Sequence, residues 1–189
     1  MAVQLQVQAQ RKLFTTAEYH QMIQAGVFDE DDRLELVEGE VTEMSPISSN
    51  HAGHVKQLAA YFHDVLRKRA IVSVQDPIHL SEYSEPQPDL ALLRPRADYY
   101  AGSHPTPDDV PLVVEVAETS AGLDRNVKMP MYARAGIVEA WLVSLADGWI
   151  EVYREPSPVG YLLTRRVLPG AMLSLQAFPE DELAVSDLI

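Results

Sequence analysis

One apolar segment near the middle of the chain constrains the fold more than any other feature. Residues 111–117 read Pro-Leu-Val-Val-Glu-Val-Ala, and a strand that is apolar on both faces is normally buried in a sheet covered on both sides. An ionised carboxylate such as Glu115 is costly there unless a neighbouring group compensates its charge. Taken alone, Glu115 fits a structural ion pair with an arginine as well as it fits a functional acid.

Patterns around this strand predict further helices and strands. Thr15 and Glu18 have the spacing of a capping box, so a short helix should follow and end at Gly26. Alternating residues over 33–44, with a Glu38-Gly39 turn, predict a hairpin. Elsewhere the sequence predicts helices from about residue 49 to the basic cluster 67–69 and over 124–135, strands within 71–80, 88–93, 138–145, 149–154 and 161–168, a proline-rich loop at 94–110 and an acidic tail at 179–189.

This order of elements predicts an α+β fold shading into α/β, in which helices flank a mixed central sheet behind an N-terminal helix and hairpin. A length of 189 residues suits a single domain spanning 1–189, with a core over about 14–170. No apolar run reaches the roughly 18 residues of a membrane span, and the N-terminus lacks a secretory h-region. We therefore expect a cytoplasmic protein that makes no membrane contact.

Composition excludes several classes of site. The absence of cysteine rules out a disulfide framework, a zinc ribbon and a thiol nucleophile. Neither a glycine-rich phosphate loop nor a G-x-S-x-G elbow occurs, which argues against a nucleotide cofactor and against serine hydrolysis. A net charge of −13, from 28 acidic and 15 basic residues, disfavours a protein that coats nucleic acid through non-specific phosphate contacts. It disfavours an enzyme less, because the local field at a site can differ from the whole-chain sum.

A second acid stands in a setting like that of Glu115. Asp89 follows Pro88 at the start of another short apolar run. Two neighbouring strands of this kind can place their carboxylates side by side, and like charges at that distance are tolerated chiefly when a cation lies between them. Oxygen ligands without cysteine favour Mg²⁺ or Mn²⁺, either of which can ionise a water and polarise a phosphoryl oxygen.

A lysine would complete such a site by stabilising the extra negative charge of a transition state. The chain has only four lysines, and Lys128 lies on the helix that is entered directly from the strand of Glu115. Asp124 precedes Lys128 by about one helical turn and shares its face. By themselves, Asp124 and Lys128 are explained better as an exposed salt bridge than as functional groups.

The order of these motifs resembles a known nuclease pattern. Pro88-Asp89 followed by residues 113–116 (Val-Val-Glu-Val) is similar to the PD-(D/E)xK motif of restriction-endonuclease-like folds. Over roughly residues 14–155 the chain more closely resembles the Uma-type family of putative restriction endonucleases. The stretches that carry the resemblance are 15–19, 31–40, 44–46 with His51, 87–91, 115–120, 124–125 with Lys128, 132–136 and 138–143.

The resemblance implies a metal-dependent nuclease fold in which Asp89 and Glu115 hold the metal and Glu35 adds a third carboxylate. It implies DNA as the substrate, and a homodimer, because cutting both strands takes two sites. The simple motif places a lysine two residues after the acid, where this chain has Ala117. The resemblance therefore moves that role to Lys128, which Asp124 would orient.

Two further polar positions have a structural and a functional interpretation. His51 and His54 lie three residues apart near a helix start, and without a third ligand a structural role is favoured over a zinc pair. His51 shares the apolar face of its helix and could reach the site as a polar neighbour. Ser120 is either a helix cap, which we favour, or a hydrogen-bond donor near the metal.

Three functional hypotheses follow. The first is a Mg²⁺-dependent endonuclease that hydrolyses DNA phosphodiester bonds. The second is a nuclease-fold protein that lacks nuclease activity and acts as a binding or assembly module, which the acidic net charge and Ala117 favour. The third is a metal-dependent hydrolase of a small phosphorylated metabolite, which would suit an acidic surface better than DNA does.

Overall fold

A computed structural model of the protein describes residues 11–29, 31–118 and 121–189. The helices are α1 (Thr16–Gln24), α2 (Ser49–Leu66), α3 (Ala121–Leu123) and α4 (Met129–Ala135), with a π-helical turn, Asp124–Lys128, between α3 and α4. The strands are β1 (Leu34–Val37), β2 (Glu40–Glu43), β3 (Ile71–Ser73), β4 (Leu90–Leu93), β5 (Leu112–Ala117), β6 (Glu139–Ser144), β7 (Trp149–Ser157), β8 (Gly160–Val167), β9 (Met172–Leu175) and β10 (Phe178–Ala184). Short 3₁₀ segments occupy Arg67–Arg69, Pro107–Asp109 and Val185–Asp187.

Six of the strands form one mixed sheet. Its order is β3-β4-β5-β6-β7-β8, and the only parallel pair in it is β5 with β6. The pairs β1-β2 and β9-β10 are separate antiparallel hairpins. The predicted mixed α+β architecture, with a central sheet flanked by helices, is confirmed.

The strand β5 is apolar on both faces because each face is covered by a helix. On one side, Val114 and Val116 belong to the same apolar cluster as Phe62 of α2, whose ring lies 5.9 Å from that of Trp141. On the other side, Val113 and Ala117 belong to the cluster that contains Met129 and Tyr132 of α4. Since side chains alternate along a strand, Glu115 lies on this second face. On the first side, the same apolar cluster also contains Val55, Leu58 and Leu66 of α2.

Local signals at the N-terminal end act as expected. Thr15 caps α1, and its side chain and that of Glu18 form a reciprocal capping box. The hairpin turn has positive φ at both central residues, 50° at Glu38 and 82° at Gly39, as a type I′ turn requires. A side chain at Gly39 would also meet Leu13, since its Cβ would lie 2.7 Å from the Leu13 Cβ.

Three elements differ from the sequence expectations. The strand expected within 71–80 is confined to Ile71–Ser73, and the rest is loop. The helix expected over 124–135 starts as a π turn, because Pro130 lacks an amide hydrogen and takes the first turn of α4 instead of a helix interior.

The segment 179–189, expected as an acidic tail, instead forms most of β10, which pairs with β9 in a hairpin, and the 3₁₀ segment after it. Its apolar residues Leu183, Val185 and Leu188 are buried in the cluster that also contains α2. The exposed Glu180 and the partly buried Asp181 pair with Arg69. No helix in the described parts of the chain is long and apolar enough to cross a membrane.

Candidate active site

Strand register brings the two predicted metal ligands together. In the antiparallel β4-β5 pair Leu90 lies opposite Val114, so Asp89, one residue earlier, faces Glu115. Both side chains are buried, at 8% and 3% exposure. The Asp89 amide is 3.5 Å from Glu115 Oε2, and Asp89 Oδ2 accepts a hydrogen bond of 2.9 Å from the Val116 amide. The two acids therefore lie at one point on adjacent strands.

Lys128 joins these acids to a third one. Its Nζ lies 3.0 Å from Glu35 Oε1 and 3.3 Å from Glu115 Oε1. Glu35 is held from its other side by Gln87, whose amide donates to Glu35 Oε2 at 3.1 Å and whose side chain donates to the Leu34 carbonyl at 2.9 Å. The lysine therefore reaches back from the helix to the face of β5 that carries Glu115.

The π turn sets the position of Lys128. In this wider turn the Met129 amide donates to the Asp124 carbonyl, five residues back. Asp124 and Lys128 are both buried and both line the same cleft, which overturns the exposed salt bridge that the spacing alone favours. The predicted supporting residue Ser120 lies outside the described residues.

Polar side chains orient the two proposed ligands. Asp89 Oδ1 is 2.9 Å from His51 Nε2 and accepts a hydrogen bond of 3.2 Å from the Gln75 side chain. The Tyr132 hydroxyl donates to Glu115 Oε1 at 2.6 Å. His51 therefore contacts the site as a polar neighbour. This contact accounts for His51 without a zinc pair with His54.

Hydrogen bonds at the end of β5 hold the helix that carries His51. The side chains of Ser48 and Asn50 donate to the two oxygens of Glu118, at 2.5 and 3.1 Å. The Ser48 hydroxyl also accepts from the His51 amide and so caps α2. The Glu118 side chain therefore connects the end of β5 to the start of α2. This connection holds His51 in place relative to Asp89 and Glu115.

Several of these contacts were missed by the sequence analysis. Gln87 and Tyr132 lie in stretches that carried the family resemblance, so a signal for them existed. Gln75 had none, because it lies in a loop and adopts a positive φ of 56° that its residue type does not indicate.

These charged groups line one cleft of about 140 Å³. Its charged and titratable lining consists of Glu35, Glu43, Asp89, Glu115, Glu118 and Asp124 against Arg33, Lys128 and His51. The cleft therefore carries an excess of negative charge.

This excess of negative charge affects the pKa values of the groups that line the cleft. Burial, together with the charges of Asp89, Asp124 and Glu35, raises the pKa of Glu115 to about 8 against the opposing effect of Lys128. Burial alone would lower the pKa of Lys128, but its neighbouring carboxylates outweigh burial and raise it. Burial acts to raise the pKa of Asp89, yet hydrogen bonds from His51 and the Val116 amide hold it below the usual value.

The donor set fits a hard divalent cation. Asp89 and Glu115 both line the cleft, and Asp89 Oδ2 and Glu115 Oε2 each have a single backbone amide as partner, so each has a second lone pair for a cation. Mg²⁺ and Mn²⁺ prefer oxygen ligands of this kind, and a cation here would neutralise the excess charge.

Comparisons with known proteins bear on the fold and on the family of the chain. The fold is similar to the crystal structure of a putative nuclease belonging to DUF820 from Anabaena variabilis, with a TM-score of 0.70 and 15% sequence identity over 93% of this chain and 97% of that one. No curated protein matches the sequence. Restriction-endonuclease-like proteins generally use divalent metal ions. The model of the Uma2 family, described as putative restriction endonuclease, matches residues 16–186, and the chain therefore belongs to this family.

Proposed function

We propose that the protein is a Mg²⁺- or Mn²⁺-dependent endonuclease that hydrolyses DNA phosphodiester bonds. The observation that carries the proposal is the convergence of Asp89, Glu115 and Lys128 on one cleft, with Glu35 beside them. A nuclease-like fold and membership of a restriction-endonuclease family support the same chemistry.

Asp89 and Glu115 would hold the ion, which when bound supplies a Lewis acid for the phosphate and a more acidic water. Glu35 lies 3.0 Å from Lys128 Nζ and would hold the ammonium in place beside the two ligands. Tyr132 and His51 keep the two ligand carboxylates in one orientation each.

Lys128 would stabilise the negative charge that develops on the phosphate. Its ammonium stays protonated because the surrounding carboxylates raise its pKa. The position two residues after Glu115 is filled by Ala117, which is buried against the same apolar cluster as Met129 and Tyr132. The small side chain and the lysine from the following helix together account for the departure from the simple motif.

The experiment is a cleavage assay on duplex and branched DNA with Mg²⁺, Mn²⁺ or EDTA. We expect cutting only with the metals, and its loss in Asp89→Asn and in Glu115→Gln. Glu182→Gln, at an exposed acid of β10, is the matched control and should cut like the parent protein. Wild-type cutting by both site variants would refute the assignment.

The alternative is a nuclease-fold binding or assembly module, and the net charge of −13 favours it. A calorimetric titration separates the two, since no binding at millimolar Mg²⁺ supports the module. Cleavage of small phosphate esters but not of DNA would support a metabolite hydrolase. A homodimer and a cytoplasmic location remain predictions of the same proposal.

A further inference from the structure

A group of histidines outside the acidic cleft surrounds one buried carboxylate. Glu85 is 4% exposed, and its Oε1 lies 2.6 Å from His20 Nε2 while its Oε2 lies 3.4 Å from His79 Nδ1. His104 completes the group, because one ligand atom from each of His20, Glu85 and His104 lies within 4.8 Å of the others. Three of the six histidines of the chain therefore meet at one acid.

The members come from separate parts of the chain. His20 lies on α1, and Glu85 is anchored to β1 by backbone hydrogen bonds with Leu36 in both directions. The long loop 94–110 supplies His104, and the His79 amide donates to the Pro105 carbonyl at 2.9 Å, which fixes the loop beside the group. A shared ligand here would tie α1, the segment of Glu85 and the loop of His104 to one another.

Charge compensation at Glu85 differs from that at the other buried glutamates. Glu35 and Glu115 pair with a lysine, whereas Glu139 and Glu151 pair with arginines. Among the residues that the structure describes, Glu85 is the only buried glutamate whose ion-pair partners are all histidines. Histidine, unlike lysine and arginine, is not a permanent cation, so this carboxylate lacks a permanent positive partner.

We propose that His20, Glu85 and His104 bind a first-row transition-metal ion of the Zn²⁺ class, with His79 as a fourth ligand. Imidazole nitrogens with one carboxylate oxygen suit Zn²⁺, whereas Mg²⁺ prefers oxygen ligands alone. Ligand atoms around a tetrahedral zinc lie about 3.4 Å apart, at Zn–N distances near 2.1 Å. The ligand atoms of His20, Glu85 and His104 lie within 4.8 Å of one another, and the exposure of His104 and partial burial of His20 leave room for the side-chain rotations that binding requires.

The ion would act as a structural link between α1, the strand-anchored segment of Glu85 and the loop of His104. The same segment continues through Gln87 to Asp89, but the zinc group shares no residue with the acidic cleft. Its occupancy can therefore be measured independently of any nuclease activity.

The test uses the full chain without a histidine tag, treated with a chelator and then titrated. Co²⁺ is followed by visible absorption, and Zn²⁺ by calorimetry and by the change in Tm. We expect one equivalent of Zn²⁺ and a higher Tm in the parent protein, both lost in His20→Ala/His104→Ala. The double variant His54→Ala/His63→Ala also removes two histidines, both from α2. It should still bind one equivalent of Zn²⁺ and show the higher Tm with zinc.

Zinc binding with unchanged stoichiometry in His20→Ala/His104→Ala would overturn the proposal. So would the absence of micromolar Zn²⁺ binding to the parent protein. The circular dichroism spectrum and the Tm of the metal-free variant establish that it is folded, which is expected because both altered side chains reach solvent. Glu115→Gln should bind Zn²⁺ normally, so a failure of the nuclease proposal is distinguishable from a failure of this one.

Discussion

Two groups of buried acids in the same sheet are compensated in opposite ways. On β6 and β7, Glu139 accepts hydrogen bonds from Arg154, Trp141 and the Gln176 amide. Its neighbour Glu151 pairs with Arg125 and Arg166 and accepts from the Tyr153 hydroxyl. On β4 and β5, Asp89 and Glu115 share the cleft with further acids and have one lysine close by.

The two groups of acids are buried to a similar degree but differ in charge balance. The arginine-paired acids have their charge neutralised by the protein itself, so a structural role accounts for them. The acids of the cleft have more negative charge than their own protein compensates, so a cation from solution is favoured there. The comparison shows that the balance of partners, not burial, separates a structural acid from a candidate functional one.

The largest expected effect concerns the single ammonium of the cleft. Lys128→Gln should lower the rate of metal-dependent DNA cleavage about 10²- to 10³-fold, because it removes the group that stabilises transition-state charge. Divalent-metal binding should persist or tighten, since the carboxylates lose a competing cation. Single-turnover cleavage and metal titration on the same variant give the two readouts, and a cleavage rate equal to that of the parent protein would contradict the role.

Removing an arginine-paired acid should instead affect folding. Glu139→Ala leaves Arg154 without its carboxylate and should reduce the free energy of unfolding by about 3 kcal/mol. Metal-free Glu115→Gln should lose far less at neutral pH, because the raised pKa of about 8 favours the protonated carboxyl group, which a glutamine amide resembles in shape. Urea unfolding of both variants in EDTA measures the difference, and equal losses would break the comparison between the two groups.

One acid of each group, Glu115 and Glu151, should also respond to pH with opposite signs. A carboxyl group whose pKa is raised on folding, as that of Glu115 is to about 8, stabilises the fold below its unfolded value and loses this contribution as pH rises from about 4.5 to 8. Burial acts to raise the pKa of Glu151, but Tyr153 and its two arginines lower it, so its contribution is present above the unfolded value and is lost in acid.

In metal-free protein, the stability of the parent relative to Glu115→Gln should therefore fall between pH 5 and pH 8, by on the order of 2 kcal/mol. Unfolding midpoints in EDTA at several pH values check this. A flat difference across that range would show that Glu115 stays ionised in the folded protein.

The smallest expected effect comes from a hydroxyl group. Tyr132→Phe removes the hydrogen bond to Glu115 Oε1 and should cost about 1 kcal/mol of stability, with a modest loss of cleavage. Tyr153→Phe removes the matching bond to Glu151 and should cost a similar amount without any loss of cleavage. A fall in cleavage for both variants would mean that the effect is structural.

Much of the fold follows from local sequence signals. The capping box at Thr15, the Glu38-Gly39 turn and the two-sided apolar strand around Glu115 each depend on residues close together in the chain. The β10 strand was mistaken for a tail because its outward acids dominate the composition, while Leu183 alone marks its buried face. Charged residues on the exposed face of a strand can obscure the apolar pattern of its buried face.

The site required information that local patterns do not contain. Apolar settings singled out Asp89 and Glu115, but their opposition depends on the register of β4 with β5, and a slip of one residue would turn one of them to the other face. The reach of Lys128 to Glu35 depends on the π turn, which Pro130 helps to impose but does not specify. Gln75 enters through a loop conformation alone.

The most direct test of the central claim is a calorimetric titration of chelator-treated protein with Mn²⁺ and Mg²⁺, in parallel with Glu115→Gln and Glu151→Gln. We expect the parent protein and Glu151→Gln to bind a divalent ion at millimolar concentration or below, and Glu115→Gln to lose that binding. Binding of equal strength in all three proteins, or none in the parent, would contradict the account.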